Sequence, residues 1–508
     1  MLGFADLHGS PQYELAPPLA GALIESLRGV GYSAATALAD LIDNSISAGA
    51  RNVWLDFKFL GPDSVITVSD DGRGMSESEL RRAMTLGGVG PLAQREAADL
   101  GRFGLGLKTA SFSQCRCLTV VTKSAGVVSC RRWDLDYIAR PDVGDWRLLP
   151  APRPGSEGLF DALADHACGT VVIWEGLDRI VGAAAASDRA AESAFYEMGR
   201  RVEQHLAMVF HRYLEGPSPE LRIHVGGHRV KPWDPFLRSN PATGATPMEP
   251  MRRANGMVEF QGFVLPHKDQ LGSEYEEAGG LKGWTAQQGF YVYRNRRLLV
   301  AGGWLGLGSP RPWTTEEPYK LARISLEFSN TADSEWDIDV KKSVARPPRW
   351  LQPRLVDLAA KVRDDARRVF AHRGAYGKRE AVPDFVPAWT SRQVSGATSY
   401  RVNRQHPAVT RALEAPSREA VEMALRIVEE TVPVQRIWLD TVENGEAPRE
   451  AFVDTPDPQV EALVRTMLRH LIDKIGLDRA HAMAQIRSTD PFQNFPAVID
   501  RVAASEGA

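Results

Sequence analysis

The sequence predicts an α+β chain of three folded parts, and three observations carry that reading. Between about residues 21 and 180, helical patterns alternate with β-rich runs, "NVWLDFKF" (52–59), "SVITVSD" (64–70), "CLTVVTKS" (117–124) and "GTVVIWEGL" (169–177), the pattern of an α/β sandwich. A second α+β region spans roughly 220–350, with "LRIHVGG", "GFYVYRNRRLLV" and "LARISLEF" as strands. Past residue 406 the chain is helical by periodicity, with apolar stripes in "SREAVEMALRIVEETV" and "QVEALVRTMLRHLIDKIG". The expected parts are an N-terminal arm (1–20), the sandwich (21–215), the second domain (216–350), a basic helix and linker (351–405) and the helical C-terminal domain (406–508).

Bulk properties narrow the function classes. Formal net charge is −3, so any surface for nucleic acid must be local rather than global. No window approaches the length of apolar chain that a membrane span needs, and the N-terminus lacks the basic and apolar regions of a signal peptide. The four cysteines, Cys115, Cys117, Cys130 and Cys168, form no CxxC pairs and read as reduced, buried thiols. These features together point to a cytoplasmic protein.

The helix expected over "ALADLIDNSISAGA" (37–50) is the first chemical signal. Ser33 is placed to cap it, and Gly49 stands where a left-handed residue ends a helix most easily. Positions 36, 40, 43, 44 and 47 share one face, which reads Thr, Asp, Asp, Asn, Ser. The other side offers Ala34, Leu38, Leu41 and Ile42 to a core. By itself the acidic face is equally compatible with solvent.

Two glycine motifs follow. In "VSDDGRGM" (68–75), a strand runs into a tight acidic turn where Gly72 and Gly74 allow close backbone approach or positive φ, and Asp70 can accept a hydrogen bond. In "GRFGLGLKTA" (101–110), Gly101, Gly104 and Gly106 precede a helix that carries Lys108 in its opening turn, an arrangement suited to phosphates. Alone, each motif also fits an ordinary turn or loop.

In this order and spacing the three stretches resemble the N, G1 and G2 boxes of the GHKL ATPase superfamily, which includes gyrase B subunits, ninety-kilodalton heat-shock chaperones, histidine kinases, MutL and MORC proteins. "GTVVIWE" (169–175) resembles the family's adenine-side strand, and residues 81–99 stand where the family has its ATP lid. The resemblance implies a Bergerat-type α/β sandwich that binds ATP and Mg²⁺. It assigns Asn44 to the metal, Asp70 with Thr170 to the adenine amino group, and Gly72, Gly74 and Met75 to the base. Gly101, Gly104, Gly106 and Lys108 fall to the phosphates. Position 40 is the family's general base, usually Glu. Here it is Asp40, whose shorter side chain implies slow turnover.

The second domain resembles, through "GFYVYRNRRLLVAGGW" (289–304) and "SEWDIDVKKSVARPP" (334–348), the ribosomal-protein-like transducer of MutL, gyrase and MORC proteins. There a lysine reaches the γ-phosphate, which makes Lys341 or Lys342 the expected catalytic partner. The whole is most similar to bacterial MORC-like and MutL-like proteins, several of which accompany restriction or phage-defence genes. The resemblance implies a nucleotide-gated clamp that forms a homodimer on ATP, with the C-terminal helical domain serving dimerisation or a protein partner. The alternative is an ATP-binding interaction module with little hydrolysis. A metal nuclease is not expected, because "RQHPAVT" (404–410) lacks the carboxylates such a site needs, leaving His406 a loop or cap residue. From Lys341 to Arg379 there are 12 Lys or Arg against three acidic residues, a composition suited to non-sequence-specific DNA. It suits an acidic partner equally well.

Overall fold

The computed structural model describes residues 18–87, 106–338, 345–372, 386–414, part of 418–429 and 457–505, apart from isolated positions within those ranges. The chain divides into two units, residues 1–376 and 377–508.

The first unit begins with helices α1 (Ala20–Arg28) and α2 (Ala34–Ser47), then a hairpin of β1 (Asn52–Lys58) and β2 (Val65–Asp70). Ser33 caps α2 as expected: its hydroxyl accepts from the Thr36 amide, and the Thr36 hydroxyl accepts from the Ser33 amide. Gly49 closes the helix at φ +74°. The chain continues through α3 (Glu77–Met84), α4 (Gly106–Phe112), β3 (Cys117–Ser124), β4 (Val127–Asp134), α5 (Leu135–Ile138), β5 (Gly169–Glu175), α6 (Arg189–Val209), α7 (His211–Leu214), β6 (Arg222–Val225) and β7 (His228–Arg229). These strands make one seven-stranded sheet in the order β4-β3-β5-β2-β1-β6-β7. One face is packed by Leu38, Ile42, Phe112 and Leu206 from the helices against Val53, Leu55, Val68 and Trp174 from the strands, forming the main core. On the other, Val65, Val121, Val171 and Ile173 gather under Leu163.

The strand in "LRIHVGG", expected to open the second domain, instead extends the first sheet. After α6 has carried the chain across the sheet, β6 pairs with β1 in parallel, Asn52 opposite Arg222. A parallel neighbour requires such a crossover, and the 21-residue helix supplies it.

The second sheet is built from β8 (Gly244–Ala245), β9 (Glu249–Arg253), β10 (Gly256–Val264), β11 (Gly289–Arg294), β12 (Arg297–Ala301) and β13 (Ala322–Phe328) in the order β12-β11-β13-β10-β8, with β9 on β10. A helix at Gln352–His372 lies against it. The sequence reading put this helix beyond the domain, in a basic linker. In the structure Leu355, Leu358, Ala359, Val362 and Ala366 complete the second core. One of its basic residues, Arg363, is buried and stacks on aromatic rings, its guanidinium carbon 3.7 Å from the Tyr319 centroid and 4.5 and 4.6 Å from those of Trp304 and Trp313. Cation–π contacts made out of water are worth about 2 kcal/mol. Arg363→Ala is therefore expected to destabilise the chain by about that amount, read as a lower urea midpoint.

The second unit holds a hairpin of Trp389–Val394 and Ala397–Val402 and a small helical core. Val464, Leu468, Ile486, Ile499 and Val502 pack together there from the helices Asp457–Asp473, Arg479–Arg487 and Pro496–Ser505. His406 starts the helix Pro407–Leu413, and its Nε2 lies 2.7 Å from the Asp490 carbonyl oxygen. All four cysteines are free thiols. Cys115 and Cys117 are buried as expected, whereas Cys130 and Cys168 are only half-buried. Among the described residues no helix is long and apolar enough to cross a membrane, and no cluster of His, Cys, Asp and Glu could hold a metal ion.

Candidate functional site

Helix α2 organises the site. Its acidic face is not left to solvent: Asp40 is 3 % and Asp43 1 % exposed, while Asn44 and Ser47 are open. The Tyr32 hydroxyl donates to Asp40 Oδ2 at 2.9 Å. A Cβ added at Gly106, the first residue of α4, would stand 3.6 Å from that same oxygen. The last glycine of the second motif, Gly106, thus lies against Asp40, although it comes 66 positions later in the chain.

One further turn along α2, Ser45 donates to Asp70 Oδ2 at 2.8 Å, and the Gly72 amide donates to Oδ1 at 2.9 Å. Asp70 ends β2, and burial there pushes its carboxyl above the ordinary 3.8, against the opposing effect of these hydrogen bonds. Thr170 faces Asp70 across the β2–β5 ladder. Its hydroxyl is 3.1 Å from that of Thr122, which accepts from the Met75 amide at 2.9 Å and donates to the Gly169 carbonyl at 3.0 Å. Asp70, Gly72, Met75 and Thr170 therefore meet at one corner. Gly74 sits there at φ +65°, where a Cβ would fall 2.1 Å from the Lys123 carbonyl oxygen. Its glycine is demanded by the fold itself.

Lys108 is buried, and its ammonium donates to the Ala83 carbonyl at the end of α3, 2.8 Å away. Burial lowers its pKa to about 8. Gly101, Gly104, Lys341 and Lys342 lie outside the described residues, as does most of 81–99.

Besides Tyr32, three residues escaped the sequence reading. Ser45 and Thr122 hold the Asp70 corner. Arg297, at the start of β12, brings a guanidinium from the second sheet to α2: its Nε is 3.2 Å from Asp43 Oδ1 and its Nη2 3.7 Å from Asp40 Oδ1. A carboxylate pair buried on a helix asks for a cation, and that was the available signal.

With this geometry in view, comparison with known proteins bears on the segment that holds it. Residues 32–170 match the family described as histidine kinase-, DNA gyrase B- and HSP90-like ATPase, a segment that runs from Tyr32 to Thr170 and takes in both carboxylate corners. The resemblance to the GHKL ATPases holds over that segment. Over 232 residues the chain is 34% identical to the ATPase morc-1 of Caenorhabditis elegans, an alignment that covers 39% of this chain and 27% of the relative. The chain thus spans about a quarter of that relative's length.

Proposed function

We propose that the chain binds Mg-ATP at the two corners joined by α2 and hydrolyses it slowly. The observation that carries this is the convergence on one helix of Asp40, set against Gly106, and Ser45, set against Asp70. Asp70 retains acceptor capacity beyond its bonds to Ser45 and Gly72, and it would take a hydrogen bond from the adenine amino group, with Thr170 beside it. Asp40 would take the proton of the attacking water. Its bond from Tyr32 fixes the carboxylate in place. Asn44 offers an exposed amide oxygen one turn beyond Asp40, the hard donor that Mg²⁺ accepts. The metal would supply charge neutralisation of the phosphates, whose oxygens and water would complete its shell.

The clamp rests on the resemblance: bound ATP would draw Lys341 or Lys342 to the γ-phosphate and pair two copies of the chain. DNA association through 341–379 and a role in phage defence are proposals of the same standing. Burial of Arg363 removes one cation from that stretch, while Lys361, Arg367 and Arg368 are exposed on the same helix. A second reading, an ATP-binding interaction module that barely turns over, is favoured by Asp in place of Glu at position 40 and by its engagement with Tyr32 and Arg297.

Phosphate release from Mg-ATP separates the two. Asp40→Asn is expected to lower kcat by about 10²–10⁴-fold with ATP binding retained, the usual contribution of a general base. Absence of turnover in the wild type, despite ATP binding, would leave the interaction module. Stimulation by duplex DNA would support the clamp on DNA.

A further inference from the structure

Arg297 is held too firmly to be a casual neighbour of α2. It follows a two-residue turn, Asn295 and Arg296, with φ of +47° and +67°, the backbone that a tight hairpin of right-handed twist requires. Behind the turn, Arg294 grips both oxygens of Asp333 at 2.7 Å. At the tip, the Tyr213 hydroxyl donates to the Asn295 carbonyl at 2.6 Å, and Arg296 donates to Glu220 at 2.7 Å. The hairpin of the second sheet is thereby pinned on α7 and on the approach to β6, and Arg297 enters α2 from a fixed base. Its own Nη1 is spent on the Leu298 carbonyl at 2.8 Å, leaving Nε and Nη2 directed at the two carboxylates.

We propose that Arg297 is a positioning residue for hydrolysis, through which the second domain sets the placement of Asp40 by holding the Asp40–Asp43 pair together. The proposal rests on Asp40 being the base of a hydrolase. Side-chain exposures are 6 % for Arg297, 2 % for Asp40 and 1 % for Asp43, so the three charges meet away from water. Two carboxylates three residues apart on a helix repel, and here the guanidinium is what offsets that repulsion. Without it, the repulsion would displace the Asp40 carboxylate from the place it holds beside Tyr32 and the first residue of α4. Displacement of a reacting group by about 1 Å can cost about 10²-fold in rate. The second domain would then act on chemistry in two ways, by a lysine at the phosphates in the clamp reading and by an arginine behind the base.

The test uses the full chain with Mg-ATP. Arg297→Gln is expected to lower kcat by about 10- to 100-fold while KM stays within about threefold. Because the single variant strands buried carboxylates, its melting temperature is expected to fall. Arg297→Gln combined with Asp43→Asn removes the repulsion and one of the two stranded charges, and is expected to regain part of both the melting temperature and kcat. A kcat for Arg297→Gln within twofold of wild type, a rise in KM alone, or a double variant that regains its melting temperature and none of its kcat would each overturn the positioning role. A wild type that binds ATP and releases no phosphate would remove the hydrolase reading and this proposal with it, an outcome distinct from the others.

Discussion

Asp70→Asn is expected to fold and to lose ATP. The carboxylate accepts from Ser45 on one oxygen and from the Gly72 amide on the other. An amide can keep its oxygen toward Gly72 and turn its NH₂ toward Ser45, whose hydroxyl can rotate to accept. The cost in stability is then about 1 kcal/mol, the worth of one exchanged hydrogen bond. The ligand fares worse, because a donor now stands where the adenine amino group needs an acceptor. A buried donor facing a donor typically costs 10²-fold or more in recognition, so ATP affinity measured by calorimetry is expected to drop by at least about 100-fold. Affinity within threefold of wild type would remove Asp70 from the base-binding role. The same substitution changes the response to pH. Because burial raises the Asp70 pKa, the folded chain holds this proton to higher pH than the unfolded chain does. Stability therefore falls as pH rises from about 3.8 toward the raised value and is flat above it with respect to this group. Asp70→Asn is expected to lack that segment of the profile.

Gly74→Ala is expected to damage the fold more than any other single change in the site. The added methyl would lie 2.1 Å from the Lys123 carbonyl oxygen and 2.9 Å from its carbon, both backbone atoms of β3, which is paired on both sides. The position also has φ +65°, where a side chain is strained even in open space. Strain and clash together are expected to cost about 3 kcal/mol or more, which for a domain of this size lowers the melting temperature by about 10 °C. An unchanged melting temperature would mean that β3 gives way without cost.

Much of the site was legible because its signals are local. Ser33, Gly49, the alternating strands and the turn at Gly72 and Gly74 each show within a few residues of themselves, and α2 begins and ends where those signals place it. The partners of Asp40 and Asp43 were not legible for the opposite reason. Tyr32 lies next to the cap and carries no helical signal, and Arg297 is 254 residues beyond Asp43. Ser45 and Thr122 look like any hydroxyls on a helix and a strand, and only the approach of β2 and β5 gives them a purpose. The strand at 222–225 was assigned to the wrong sheet because a short alternating run reads the same in either, and the deciding fact is the path of α6. The helix at 352–372 was read by its charges when its apolar stripe is what places it.

The family match ends at Thr170, but the sheet does not. Its order puts β1 between β2 and a strand that arrives only after α6, so a fragment cut at the family limits would expose the outer edge of β1 as a row of unpaired amides and carbonyls. Such an edge invites pairing with other chains. The same cut would remove α6, whose Phe195, Val202 and Leu206 are part of the main core. The smallest heritable piece of this fold is therefore longer than its recognisable motifs, reaching at least to Arg229. A lineage that borrows the motifs must borrow the helix and the closing strands with them.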